Sequence, residues 1–274
     1  MERSILFFDI DGTILTEDGT RRIPDSTRQA ISRAKERGHL TFINTGRVFL
    51  NIEPMIRALD FDGYVCGCGT NIYYQEKELF RNRISKELCR QTVLAARASK
   101  VEVLYEAAEL NAVDVWNRDG SAGEKENRKF RELIDYFSRD GRAIGRTEDA
   151  DFHFDKFTFW YPLGQNIQSF LDFLQEHYDI IDRGQEEEYG MYEVVPKGFS
   201  KGTGVQYLLD HFQISRTNSY AFGDSTNDLA MLTDVAHGIA MGGSPAVVQE
   251  KVEFVTRSID EDGLFYAMEH FHLI

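Results

Sequence analysis

Two aspartates, separated by one residue, stand where an apolar run near the start of the chain ends. Residues 5–15 read ILFFDIDGTIL, so four apolar residues lead directly into Asp9 and Asp11, and Gly12 breaks the run. Two like charges this close repel each other, and their burial without a partner is costly. The pattern predicts that a positive charge belongs beside them; the alternative interpretation is a metal-free turn.

Two other polar clusters also follow short apolar runs. NTGR (residues 44–47) follows a run that starts at residue 39, and GDSTND (residues 223–228) follows an apolar run at residues 220–222. If these runs are parallel strands of one sheet, their carboxyl ends meet at the edge where such sheets bind ligands. Asp224 and Asp228 are then expected near Asp9 and Asp11. Aspartate oxygens, without imidazole or thiolate ligands, favour Mg²⁺.

These residue types suit the cleavage of a phosphate ester. One carboxylate can attack a phosphoryl group and form an acyl phosphate. A second carboxylate, two residues away, can protonate the leaving oxygen and then take a proton from the attacking water. A hydroxyl and a cation are needed for the remaining phosphoryl oxygens. Thr45 supplies the hydroxyl, and Lys201 in FSKG (residues 199–202) supplies the cation.

The elements that position these residues alternate between strand and helix near both ends of the chain. Helical patterns cover residues 24–37, about 48–59 and 201–212, and the alternation predicts a parallel sheet covered on both faces. The middle differs: strands are predicted at 101–105, 112–116 and 152–161, with helices at about 123–139 and 165–178. We therefore expect a core domain made of residues 1–82 and 191–274, with a separate α+β domain inserted at residues 83–190.

DIDGT, NTGR, FSKG and GDSTND, in this order, resemble the four motifs of the haloacid dehalogenase-like (HAD) phosphohydrolases. The insert resembles the large α+β, type IIB-like cap of the Cof-type subfamily. This resemblance implies a Rossmann-like α/β core with an inserted cap. It also implies a Mg²⁺-dependent phosphatase that hydrolyses small phosphate monoesters, with sugar phosphates expected, through an aspartyl-phosphate intermediate.

The resemblance also implies a role for each matching residue. Asp9 would be the nucleophile, and Asp11 the general acid and base. The metal would be held by Asp9, by Asp11 through its backbone carbonyl, by Asp224 and by Asp228. Phosphate contacts would come from Ile10, Thr45, Gly46, Lys201 and Asn227.

Several of these residues have a structural alternative. Thr45 could cap a following helix, and Asp228 could cap its own helix. Arg47 could be an ion-pair partner or a substrate ligand. Lys197 stands four residues before Lys201 and could take its place, although it lacks the SKG context.

Two other functions share these motifs by resemblance. A phosphohexomutase would use the same aspartyl-phosphate chemistry but must hold a second phosphate with clustered Arg or Lys in the insert. The insert is net acidic, and its basic cluster, Arg128–Lys129 with Arg131, is typical of a solvated helix face. A non-catalytic phosphometabolite sensor would not need the complete set of Asp9, Asp11, Lys201 and Asp224. Phosphatase activity is therefore the favoured prediction.

Composition limits the partners. The 274 residues carry a net charge of −14, which argues against non-specific binding to nucleic acid or anionic membrane. No apolar run approaches the roughly 18 residues needed to span a bilayer. Three sparse cysteines do not form a disulfide framework, so a reducing cytoplasm is expected. The expected partner is a small phosphorylated metabolite, and the oligomeric state is left open.

Overall fold

The fold was analysed in a computed structural model, which describes residues 3–114, 127–139, 144–149, 152–186 and 188–274. The chain divides into two compact units. The core unit consists of Met1–Arg47, Ile52–Arg81 and Phe199–Ile274, and the inserted unit of Val48–Asn51 and Asn82–Gly198.

Regular elements are numbered in chain order. The strands are β1 (Ile5–Phe8), β2 (Leu40–Asn44), β3 (Gly63–Cys66), β4 (Asn71–Tyr74), β5 (Lys77–Arg81), β6 (Glu102–Glu106), β7 (Asn111–Asp114), β8 (Ile144–Gly145), β9 (Lys156–Pro162), β10 (Tyr178–Glu186), β11 (Tyr189–Pro196), β12 (Ser219–Gly223), β13 (His237–Ala240) and β14 (Phe254–Val255). The helices are α1 (Asp25–Glu36), α2 (Pro54–Arg57), α3 (Lys86–Ala98), α4 (Arg128–Arg139), α5 (Gln168–His177), α6 (Lys201–Phe212), α7 (Leu229–Asp234), α8 (Ala246–Gln249) and α9 (Gly263–His270).

The core unit is built on an eight-stranded sheet in the order β14-β13-β12-β1-β2-β3-β4-β5. The strands from β14 to β3 are parallel, and β4 and β5 add an antiparallel hairpin at one edge. Phe8, the last residue of β1, pairs with Ile43 on one side and Phe222 on the other. The carboxyl ends of β1, β2 and β12 therefore lie side by side.

Every residue of β1 and β2 is buried, as expected for central strands of a parallel sheet that is covered on both faces. Phe7 and Phe42 pack in one cluster with Leu208 of α6 and Met231 of α7, so these two helices cover one face of the sheet. This packing fixes the strands whose ends carry the motif residues.

The inserted unit is an α+β unit with a six-stranded sheet in the order β10-β11-β9-β6-β7-β8. All its strand pairs are antiparallel except β7 with β8. Helices α3 and α5 pack on the face that presents Tyr105 and Phe159. Helix α4 packs through Phe130 against Leu104 and Trp160, whose side chains lie on the opposite face because side chains alternate along a strand.

The predicted fold class, a Rossmann-like parallel-sheet core with an inserted α+β domain, is confirmed.

The helix predicted over 48–59 is wrong: a 3₁₀ turn at Phe49–Asn51 is followed by the short α2. The cause is Pro54, which disfavours the helical conformation for the residue before it, and Glu53 is extended with ψ 148°. The strand predicted over 152–161 begins at Lys156. Parts of the predicted elements at 112–116 and 123–139 lie outside the described residues, and the domain limits at 83 and 190 stay a prediction.

Within the described part of the chain, no helix has the length and apolar character needed to cross a membrane. Cys66, Cys68 and Cys89 are buried, and none of the three forms a disulfide. The cytoplasmic location stays a prediction.

Candidate active site

The candidate site lies at the carboxyl ends of β1 and β12 in the core unit. Asp9 directly follows β1, and its backbone N–H donates a hydrogen bond to the carbonyl of Phe222 at 3.0 Å. Asp224 directly follows β12, and a short 3₁₀ turn then leads to Asp228. The parallel pairing of two strands thus brings together aspartates that are more than 200 residues apart in the sequence.

Three of the predicted carboxylates form a compact cluster. One oxygen from each of Asp9, Asp224 and Asp228 lies within 4.8 Å of the others. Asp9 is 6% exposed and Asp228 is fully buried. Buried carboxylates this close repel each other strongly, so the cluster requires positive charge.

Lys201 supplies part of that charge. Its Nζ lies 2.5 Å from Oδ1 of Asp9 and 2.5 Å from Oδ1 of Asp228, and the side chain is 1% exposed. Lys197, the alternative cation, is exposed, so the structure brings Lys201 and not Lys197 to the carboxylates.

The start of α6 fixes the position of Lys201. Ser200 caps the helix by accepting a hydrogen bond from the backbone N–H of Thr203, which completes a capping box. The side-chain amide of Asn44, at the end of β2, donates to the backbone carbonyl of Lys201 at 2.8 Å. The NTGR and FSKG motifs therefore meet through a hydrogen bond from a side chain to the backbone.

Asp228 has two functions in the structure. Its Oδ1 faces Lys201, and its Oδ2 accepts hydrogen bonds from the backbone N–H groups of Asp224 and Ser225, each at 3.0 Å. Asp228 therefore shapes the turn after β12 and also belongs to the charged cluster; its side chain does not cap the helix that follows it, α7, as the capping alternative had it.

The electrostatics of the cluster follow from burial and crowding. Burial and the charge of Asp228 raise the pKa of Asp9 to about 7, although Lys201 opposes the shift. Burial and the charges of Asp9 and Asp228 raise the pKa of Asp224 to about 8. Burial alone would lower the pKa of Lys201, but the charges of Asp228 and Asp9 outweigh it and raise that pKa above its ordinary value. Lys201 is thus a permanent cation at this place.

Gly12 allows the two motif turns to come close. Its φ is +72°, and a Cβ at this position would lie 2.5 Å from Oδ2 of Asp224. A side chain here would collide with a proposed metal ligand and strain the backbone. Next to it, the Thr13 hydroxyl donates to Oδ1 of Asp224 at 3.4 Å.

Asp11 points to a different partner. Both of its carboxylate oxygens lie 2.7 Å from Nη2 of Arg47, and Nε of Arg47 lies 3.2 Å from Oδ2. The Asp11 side chain does not belong to the three-carboxylate cluster found among the described residues. Of the two alternatives for Arg47, the structure gives an ion-pair partner.

The predicted phosphate-binding residues occupy the turns around the cluster. Ile10 is buried, and its carbonyl accepts hydrogen bonds from the backbone of Ile14 and Leu15 at 2.9 Å. Thr45 and Gly46 follow β2, and the Thr45 hydroxyl accepts from the backbone N–H of Arg47 at 3.2 Å. The hydroxyl thus caps a turn and not a regular helix.

Asn227 lies in the turn between Asp224 and Asp228, where its side-chain oxygen accepts a hydrogen bond from Ser225. It is partly exposed. Contacts of Asn227, Thr45, Gly46 and the Ile10 backbone with phosphate stay predictions.

The donor set fits a hard divalent cation. The cluster offers carboxylate oxygens without nitrogen or sulfur ligands, which is the set that Mg²⁺ prefers. Asp9, Asp224 and Asp228 could each provide an oxygen.

Three contributors were not foreseen in the sequence: Glu53, Arg21 and Thr13. Thr13 belongs to DIDGT, so its motif could have pointed to it. Glu53 lies within the segment predicted as a helix over 48–59, and Arg21 lies outside every predicted element. Only the tertiary structure brings Arg21 to within 3.6 Å of Asp11 and Glu53 to the Arg47 side chain that contacts Asp11.

The sequence profile of a family described as haloacid dehalogenase-like hydrolase matches residues 6–268, nearly the whole chain. The chain is 26% identical over 287 residues to YkrA of Bacillus subtilis, which is named provisionally as a phosphatase, and the match covers all of both chains.

Two other matches cover nearly the whole chain. YitU of Bacillus subtilis, named a 5-amino-6-(5-phospho-D-ribitylamino)uracil phosphatase, is 23% identical over 98% of both chains. A solved structure described as a sugar phosphatase of HAD subclass IIB superposes with a TM-score of 0.78 and 26% identity, over 99% of this chain and 100% of the other.

Proposed function

Because the chain belongs to the haloacid dehalogenase-like hydrolases, we propose that it is a Mg²⁺-dependent phosphatase of small phosphate monoesters, with sugar phosphates as the expected substrates. The observation that carries the proposal is the buried carboxylate of Asp9, 2.5 Å from the ammonium of Lys201, in a cluster with Asp224 and Asp228. A buried carboxylate beside a fixed cation is suited to attack an anionic phosphoryl group.

The side chains of Asp9, Asp224 and Asp228 would hold the metal, and the resemblance adds the backbone carbonyl of Asp11. When bound, Mg²⁺ would supply positive charge that keeps these carboxylates ionised and reduces their repulsion of the phosphoryl group. The residues of the chain would supply the nucleophile, the proton carrier and the phosphate contacts.

In the first half-reaction, a carboxylate oxygen of Asp9 forms a bond to phosphorus while the bond from phosphorus to the ester oxygen breaks. Asp11 donates its proton to the departing oxygen, which leaves as an alcohol. The product on the protein is an aspartyl phosphate at Asp9.

In the second half-reaction, Asp11 takes a proton from a water molecule whose oxygen attacks phosphorus. The bond to Asp9 breaks, which restores the carboxylate and releases inorganic phosphate. Lys201 would neutralise phosphoryl oxygens in both halves, and Thr45, Gly46, Asn227 and the Ile10 backbone would orient them.

The relatives support a small phosphorylated metabolite as the substrate. One is named as a phosphatase of a phosphoribitylamino compound, and one structural neighbour is described as a sugar phosphatase. The three buried cysteines, none of which forms a disulfide, support work in a reducing compartment such as the cytoplasm.

A phosphate-release assay tests this proposal. Purified protein is incubated with a panel of sugar phosphates and simple phosphate esters, with Mg²⁺ or with chelator. We expect release that requires Mg²⁺ and disappears in Asp9→Asn, while Asp210→Asn, an exposed aspartate at the end of α6, retains it. Rapid-quench mass spectrometry should find one added phosphoryl group on a peptide that contains Asp9.

Three results would contradict the proposal. One is full turnover in thoroughly metal-free protein, and another is full turnover in Asp9→Asn. The third is transfer of the phosphoryl group between sugar hydroxyls without release of inorganic phosphate, which would indicate the mutase alternative.

A further inference from the structure

A chain of alternating charges ends at Asp11. Arg47 contacts both oxygens of Asp11, and its Nη1 donates to Oε2 of Glu53 at 2.5 Å. Arg21 donates to the other oxygen of Glu53 at 2.6 Å, and its Nη1 lies 3.6 Å from Oδ1 of Asp11. All four side chains belong to the core unit.

The contact between Arg47 and Asp11 restricts orientation as well as neutralising charge. The Asp11 side chain is 36% exposed and directly precedes a glycine with positive φ, so little packing holds its carboxylate. A planar guanidinium that donates to both oxygens limits rotation about the side-chain torsions, which a single point charge does not do.

Arg47 itself is held from three directions. Its backbone N–H donates to the Thr45 hydroxyl, and its carbonyl accepts from the backbone N–H of Gly67 at 2.8 Å. Its guanidinium is held by Glu53, which is only 7% exposed. Burial alone would raise the pKa of Glu53, but the charge of Arg47 outweighs it and lowers that pKa, so Glu53 is a dependable anion.

We propose that Arg47, held in place by Glu53, is the positioning residue that fixes the carboxylate of Asp11 for proton transfer. This inference rests on the proposed function, since it assigns a partner to the proton carrier of that reaction. Proton transfer requires hydrogen-bond reach, and a misplacement of about 1 Å can reduce a rate by about 10²-fold.

The leaving group provides the decisive measurement. 4-Nitrophenolate departs without a proton, whereas an alkoxide needs one, so only the alkyl ester depends on Asp11 in the first half-reaction. For Arg47→Ala we expect kcat/KM to fall by about 10²-fold with a sugar phosphate and to change by less than about threefold with 4-nitrophenyl phosphate. With the latter, aspartyl phosphate should accumulate because the water in the second half-reaction still needs a base.

Two further variants make the test specific. Arg47→Lys keeps a positive charge opposite Glu53 but cannot contact both oxygens of Asp11, so we expect the same selective loss as for the alanine variant. It also carries the test if Arg47→Ala does not fold. Arg22→Ala is the matched control, because this exposed arginine pairs with Asp18 and Asp260; both esters should react at the wild-type rate.

The outcomes separate the inference from the proposed function. A wild-type protein that cleaves neither ester refutes both. If the wild type is active, either of two results refutes the positioning role alone. One is an equal fall in kcat/KM for the two esters in Arg47→Ala, and the other is full activity in Arg47→Lys. A raised KM with unchanged kcat for the sugar phosphate would make Arg47 a substrate ligand and would also refute it.

Discussion

The crowded carboxylates make the stability of the metal-free protein depend on pH. The pKa of Asp9 is raised from 3.8 to about 7 and that of Asp224 from 3.8 to about 8. Because both values are above those of the unfolded chain, the folded state binds more protons between about pH 4 and pH 8. The stabilisation is present below pH 4 and is lost as the pH rises through 7 to 8.

The size of the effect follows from the two shifts. Between pH 5 and pH 8 each group loses about 3 kcal/mol of its contribution to the free energy of unfolding, at about 1.4 kcal/mol per pKa unit. Because Asp9 and Asp224 share part of their repulsion, the total loss in the free energy of unfolding lies at about 3–6 kcal/mol. For a chain of this size, that lowers the melting temperature by about 10 °C. Added Mg²⁺ should reverse the trend, because it binds ionised carboxylates and therefore stabilises more at pH 8 than at pH 5.

Thermal unfolding of wild-type protein and Asp224→Asn, in chelator and in excess Mg²⁺, measures this effect. The difference between the two proteins removes contributions from groups that titrate elsewhere, such as His39, whose pKa is lowered by burial. In chelator, Asp224→Asn should be the more stable protein at pH 8. From pH 5 to pH 8 it should lose about half as much stability as the wild type, because burial and Asp228 still raise the pKa of Asp9. It should also gain less from Mg²⁺ than the wild type.

Asp210→Asn, which changes an exposed aspartate, is the control. Its melting temperature should match that of the wild type at every pH, in chelator and in excess Mg²⁺. Equal pH slopes for wild-type protein and Asp224→Asn in chelator would refute the argument that crowding of these carboxylates sets the slope. Equal stabilisation of both by Mg²⁺ would remove Asp224 from the metal site.

Two other substitutions test a buried ion pair in the inserted unit and the close approach of Gly12 to Asp224. The charges of Lys156 and Arg183 outweigh burial and lower the pKa of Glu193 to about 2. Glu193→Gln should therefore lower the free energy of unfolding of the inserted unit by about 3 kcal/mol at pH 7, measured by denaturant unfolding. A loss below about 0.5 kcal/mol would contradict this reasoning. Gly12→Ala should abolish phosphate release and weaken Mg²⁺ binding, measured by calorimetry, because its Cβ would lie 2.5 Å from the Asp224 carboxylate; unchanged binding would show that the turn can move without cost.

The sequence was most informative where a local pattern and a strand end coincide. DIDGT and GDSTND each follow a buried strand, and the rule that parallel strands end at a common edge was enough to bring Asp9 near Asp224. The hydrolase family and the phosphatase class were predicted from the same motifs and are confirmed. The complete roles of the site residues stay predictions that the experiments above test.

The sequence was least informative where structure depends on tertiary register or on unusual turns. Glu53 reaches Arg47 because Pro54 interrupts an otherwise helical pattern. The spacing of apolar residues in this segment does not predict that ion pair. The β4–β5 hairpin turns at Gln75 and Glu76, both with positive φ, without the Asn-Gly or Asp-Gly pair typical of such turns. Neither feature can be obtained from local propensity alone.

The two aspartates of the first motif differ in the cation that each one faces. Asp9 is buried beside Lys201, and Asp11 is more exposed beside Arg47. The three clustered carboxylates and Lys201 carry a formal charge of −2 when all are ionised, which is the charge that one divalent cation neutralises. The Asp11 side chain faces Arg47 and lies outside the three-carboxylate cluster found among the described residues. This division supports the roles proposed above, bond formation to phosphorus for Asp9 and proton transfer for Asp11, although only Ile10 separates them in the chain.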